Sequence, residues 1–111
     1  MMRWVFDLDN TLVNTKGSDY ENSTPIPKAI AKVRGYKDRG DHIIIMTARG
    51  SGSKVDWRDF TEKQLNKFGI PYDQLIVGLK PGGVDVFVDD KAINALDWLE
   101  DEETALSRIE T

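Results

Sequence analysis

The chain has 111 residues, of which 40% are hydrophobic and 31% charged, with a formal net charge of −4. That length suits one domain (1–111) around one core, and the composition is too apolar for a disordered chain. The acidic balance argues against tight nonspecific binding to nucleic acid, the absence of cysteine excludes disulfides, iron–sulfur clusters and thiolate nucleophiles, and a single histidine, His42, excludes a cage of several histidines around a metal.

No apolar run approaches the roughly 20 residues that cross a bilayer. The N-terminus runs directly into a strand pattern, so neither secretion nor membrane anchoring is expected and the chain reads as cytoplasmic. Residues 4–8 form an apolar run broken by Asp7 that ends in Asp-Asn-Thr, a buried strand entering a loop. After a polar stretch, Thr24-Pro-Ile-Pro opens a helix with Pro27 in its first turn and Ile26, Ile30 and Val33 on its apolar face. Gly40 supplies its stop, and residues 42–46, with three isoleucines in a row, give the strongest strand signal in the chain. His42, at the start of that strand, reads as structural. Trp57, Phe60, Leu65 and Phe68 recur at helical spacing over 57–68 and read as core. Two short apolar runs follow, 75–77 and 84–88, and 92–99 returns to helical spacing.

The order β-α-β-α-β-β-α, with strands buried on both faces, predicts a layered α/β sandwich around a mainly parallel, Rossmann-like sheet. Ligands of such sheets bind beyond the carboxyl ends of the strands. Asp7 and Asp9, Thr47 and Arg49, and Asp89 and Asp90 all follow predicted strands and are therefore expected to converge there. Two aspartates one residue apart in extended backbone point to the same side. Several carboxylates in one crevice repel, at roughly 4 kcal/mol for a pair about 4 Å apart at an effective dielectric near 20, and a divalent cation relieves this. Magnesium, which prefers oxygen ligands and substrate phosphate, is the expected cofactor. Lys80 and Thr47 offer a charge and a hydroxyl to a phosphoryl group.

These residues resemble the motifs of the haloacid dehalogenase superfamily of phosphatases over about residues 3–95. The first motif reads Phe6-Asp-Leu-Asp-Asn-Thr-Leu12, the second Ile43-Ile-Ile-Met-Thr47, the third is Lys80, and the fourth reads Val86-Phe-Val-Asp-Asp90. Within the superfamily, residues 42–50 and 88–93 are similar to small phosphatases associated with capsular polysaccharide genes and to the phosphatase half of bacteriophage polynucleotide kinase. The resemblance implies that Asp7 attacks phosphorus, that Asp9 serves as acid and then as base, and that Asp7, the main-chain carbonyl of Asp9, and Asp90 hold magnesium, with Asp89 beside them. It further implies that Thr47 and nearby amides bind phosphoryl oxygens while Lys80 offsets charge. Thr11 and Arg49 join Thr47 and Lys80 as candidate substrate contacts, although Arg49 could instead pair with a carboxylate. The intervals 13–26 and 50–74 leave no room for the cap domain of larger members, so a minimal, capless core with an open site is expected. Lys16, Tyr20, Lys54 and Arg58 are either substrate contacts or solvated loop side chains.

The leading expectation is a magnesium-dependent phosphomonoesterase acting on a sugar phosphate or nucleotide. A nucleic-acid 3′-end phosphatase and a noncatalytic phosphate-binding module of the same fold are the alternatives, with nucleic acid expected only as an end-phosphorylated substrate. The acidic run at 100–103 reads as a solvated helix end or turn. In segment 101–111, Leu106 and Ile109 could pack on the domain or reach a second subunit.

Overall fold

The computed structural model describes residues 1–53, 55–80, 82, 84–86, 89 and 91–109. Its centre is a parallel three-stranded sheet in the order β1 (Arg3–Asp7), β4 (His42–Thr47), β5 (Gln74–Val77). A two-stranded antiparallel ribbon, β2 (Val13–Asn14) and β3 (Thr24–Pro25), lies between β1 and helix α1 (Pro27–Asp38) in the chain. Helix α2 (Arg58–Phe68) connects β4 to β5, and two short helices, α3 (Ala95–Glu100) and α4 (Glu102–Ser107), follow. Among the described residues no helix is long and apolar enough to cross a membrane.

Pleating explains β1. Trp4, Phe6 and Leu8 alternate inward and are buried, while Val5 is 60% exposed. The central strand β4 is flanked on both sides and buries Ile43, Ile44 and Ile45 together, as a run of consecutive apolar residues requires. Helix α1 begins with Pro27, whose missing N–H costs nothing in a first turn, and buries Ala29, Ile30, Val33 and Tyr36. The Tyr36 ring stacks on Trp4 at 4.2 Å, and Trp98 of α3 reaches Phe6 at 5.2 Å. Trp98 Nε1 donates to Tyr36 Oη at 2.8 Å, so these two rings satisfy each other's polar atoms in the core. Helix α2 stops at Gly69, whose φ of +69° is open to glycine at little cost and lets Ile70 N–H return to the Leu65 carbonyl.

Three expectations change. Val84, Asp85 and Val86 form no strand, and Val86 is 75% exposed; Phe87 and Val88, also expected in that strand, lie outside the described residues. Pairing and burial define a strand, and a few β-branched residues after a Pro-Gly-Gly do not supply either. Trp57 and Phe60 are only half-buried, and the buried face of α2 is Thr61, Gln64 and Leu65. The last predicted helix begins at Ala95 instead of Ala92, because the Asn94 side chain caps it by accepting the Leu96 N–H. Asp101 then caps α4, and Leu106 packs against the main core, which places α4 on the domain itself.

The register decides where the chemistry lies. Asp7 pairs with Met46, and Thr47 with Val77, so β1, β4 and β5 deliver their carboxyl ends to one edge of the sheet.

Candidate functional site

At that edge an open crevice of about 580 Å³ is lined by Asp7 and Asp9, by Gly17, Ser18 and Tyr20, by residues 48–53, and by Lys80, Gly82 and Val84. Asp7 is the last residue of β1, and Lys80 stands three residues beyond β5. Lys80 Nζ lies 3.1 Å from Asp7 Oδ1, so two residues far apart in sequence meet as an ion pair at the sheet edge.

Past Asp7 the chain turns tightly. The N–H groups of Thr11, Leu12 and Val13 all point at the Leu8 carbonyl, and Asn10 takes a φ of +63°, a conformation asparagine tolerates. The Asn10 side chain accepts the Thr15 N–H at 3.0 Å, which pins the turn. Thr11 is thereby left off the crevice wall. The β2–β3 ribbon closes the loop and brings Thr15 and Ser23 together at 2.7 Å, with Thr15 Oγ1 donating to Asp9 Oδ1 at 2.7 Å.

Arg49 answers Asp9 from the other side. Its Nε lies 3.1 Å from Asp9 Oδ2 and its Nη2 lies 2.8 Å from Asp9 Oδ1, a two-point clamp on the carboxylate. Nη1 donates to Thr61 Oγ1 at 3.2 Å and Nη2 to Gln64 Oε1 at 2.8 Å, and the guanidinium lies 4.6 Å over the Tyr20 ring. The residue is 1% exposed. Arg49, weighed between substrate and carboxylate, therefore pairs with a carboxylate, because a buried guanidinium needs charge and acceptors around it. Thr47 is 0% exposed, and its hydroxyl accepts the Arg49 N–H at 3.2 Å, ordering the turn after β4 beneath the crevice. The wall itself is the glycine- and serine-rich loop 48–53. Gly50 sits there with a φ of +82°, and a Cβ would collide with the Val55 carbonyl oxygen, so the loop can double back only at glycine.

The remaining predicted residues divide. Asp89 lines a second crevice of about 230 Å³ with Asn94, Asp97 and Arg108, and its carboxylate accepts the Lys91 N–H at 2.8 Å. Asp90 and Lys54 lie outside the described residues. Among the described residues no group of three or more histidines and carboxylates is gathered as for a metal. Arg58 is turned to the Leu75 carbonyl and to Glu62, away from the crevice. Tyr20 lines the crevice, with Trp57 edge-on at 4.9 Å and Phe60 behind it at 5.4 Å. His42 is half-buried and faces Asp73 at 3.8 Å, a structural contact.

Sequence reasoning missed Thr15, Thr61 and Gln64. A signal existed for the last two: Thr61, Gln64 and Leu65 are spaced as one helical face, and that face is polar where a core face should not be.

No protein-family model matches the chain, and no curated protein matches it. The fold is similar to a crystal structure of a structural-genomics target from Vibrio cholerae, with a TM-score of 0.85 and 27% identity over 98% of this chain and 97% of that one. It is also similar to part of a chain in the Pnkp1/Rnl/Hen1 complex, with a TM-score of 0.56 and 24% identity over 90% of this chain. The match spans 34% of that larger chain and speaks to the fold alone.

Proposed function

We propose that this protein is a capless phosphatase of the haloacid dehalogenase type, a magnesium-dependent phosphomonoesterase that works through Asp7. The observation that carries the reading is the Asp7–Lys80 ion pair in an open crevice at the carboxyl edge of a parallel sheet. A carboxylate held beside a cation at a strand end can act as a nucleophile toward phosphorus.

Asp7 attacks phosphorus, forming an aspartyl phosphate as the bond to the departing oxygen breaks. Asp9 gives a proton to that oxygen, then takes one from the water that attacks the aspartyl phosphate. Lys80 offsets the charge gathering between Asp7 and the phosphoryl oxygens. Loop 48–53, with Ser51 and Ser53, forms the wall on which those oxygens rest. The donors at the crevice are oxygens, which fits a hard cation. Magnesium would be held by the Asp7 carboxylate and the Asp9 main-chain carbonyl, with Asp90 assigned by resemblance, and would supply charge neutralisation at the transferring group. Because the crevice is open, the phosphoester can belong to a larger molecule.

The test is phosphate release with and without magnesium from p-nitrophenyl phosphate, several sugar phosphates, a nucleoside 3′-phosphate and an oligonucleotide 3′-phosphate. Magnesium-dependent release supports the reading, and the preferred substrate separates a metabolite phosphatase from an end phosphatase. No release from any of them by folded protein refutes it in favour of a binding module.

A further inference from the structure

We propose that Arg49 is a positioning residue for Asp9: it acts on the reaction through that carboxylate and does not contact the substrate. The inference rests on the phosphomonoesterase reading and adds a residue to it.

The geometry separates the two ends of the pair. The Arg49 side chain has no exposed surface, whereas Asp9 keeps 20% of its own. Both residues line the crevice, but only Asp9 keeps side-chain surface open to solvent, and the Arg49 guanidinium is covered. A single hydrogen bond would leave a carboxylate free to rotate about its own axis. Two parallel contacts from Nε and Nη2 fix both its position and its plane, a geometry that a lysine ammonium cannot reproduce. Thr15 adds a third donor to the carboxylate, on Oδ1 beside Nη2.

Arg49 is in turn held from three directions. Thr61 and Gln64, one helical turn of α2, accept its other N–H groups, and Tyr20 lies under its plane. Gln64 does a second thing: its Nε2 donates to the Tyr20 carbonyl at 2.8 Å. One glutamine therefore ties α2, the Tyr20–Asn22 turn and the arginine into a single frame. That frame explains why α2 buries a polar face. It also predicts that a change at Gln64, which does not line the crevice, is felt at Asp9.

The experiment is a double-mutant cycle on Arg49→Lys and Asp9→Asn, read as kcat and KM for p-nitrophenyl phosphate with magnesium, with folding of each variant confirmed by circular dichroism and Tm. Arg49→Lys alone should lower kcat on the order of 100-fold, the scale of a misplaced catalytic group, with little change in KM. In the Asp9→Asn background the same substitution should change kcat by less than about threefold, because the group it positions is already disabled. Independent, additive losses overturn the proposal, as does a rise in KM with kcat retained, the mark of a substrate contact. Should Arg49→Lys fail to fold, Gln64→Leu replaces it. It leaves the Arg49–Asp9 contacts in place while loosening the frame, and should lower kcat by about 10-fold with the same dependence on Asp9. An inactive wild-type protein overturns the phosphatase reading and this proposal with it, whereas an active one with an additive cycle overturns this proposal alone.

Discussion

Removing the Lys80 charge should damage turnover far more than stability. At 3.1 Å and an effective dielectric near 20, the direct attraction between Lys80 and Asp7 is about 5 kcal/mol. Solvent reaches both partners, 19% of the lysine side chain and 39% of the aspartate, and exposed pairs retain only about 1 kcal/mol in the resting protein. During transfer the balance shifts. Negative charge collects on the phosphoryl oxygens against Asp7, in a site that substrate has partly dried, and a pre-placed cation there is worth about 3–4 kcal/mol, or 10²- to 10³-fold in rate. Lys80→Met keeps the aliphatic stem and removes the charge. The expected result is a loss of that size in kcat/KM on p-nitrophenyl phosphate, with loss of the resting Asp7 pair itself changing the unfolding free energy by only about 1 kcal/mol. A folded Lys80→Met protein within about threefold of wild-type kcat/KM would refute the reasoning.

Two further outcomes follow from the core. Asp41 accepts from the Met2 N–H, Trp4 Nε1 and Arg39, which lowers its carboxyl from 3.8 to about 2. Its folded value lies below its unfolded one, so its contribution is full above about pH 4 and is lost as pH falls toward 2. Urea unfolding across that window should show a shallower pH dependence for Asp41→Asn than for wild type, and parallel curves would contradict it. Trp98→Phe leaves Tyr36 Oη without its donor in the core and should cost about 1–3 kcal/mol, lowering the Tm by roughly 5–15 °C; an unchanged Tm would remove this hydrogen bond from the account.

Local patterns carried much of the fold. The isoleucine run of β4, the alternation in β1 and Pro27 at the start of α1 each encode their own structure, since burial period and backbone restriction are properties of neighbours in sequence. The Asp7–Lys80 meeting was legible as well, because parallel strands in register bring their ends together. What sequence could not show was which polar residues are buried. Thr61 and Gln64 look like solvent-facing positions until Arg49 is known to lie against them, and that arginine looks like a substrate contact until Asp9 is known to hold it. Trp57 and Phe60 were misread for the complementary reason: their spacing continues an apolar series, but the helix turns its polar face inward and leaves Trp57 edge-on to Tyr20 and Phe60 edge-on to Trp57. Val84 and Val86, both exposed, show the limit of short apolar patterns, which do not settle a strand from β-branched residues alone.

The most direct test is to catch the intermediate. Protein mixed with excess p-nitrophenyl phosphate and magnesium is quenched in acid within the first turnovers, digested, and its peptides weighed by mass spectrometry. The account predicts one phosphoryl group on the peptide containing Asp7 and none in an Asp7→Asn protein that folds normally. Steady phosphate release with no phosphoryl group ever found on that peptide, or turnover that survives Asp7→Asn, would contradict it.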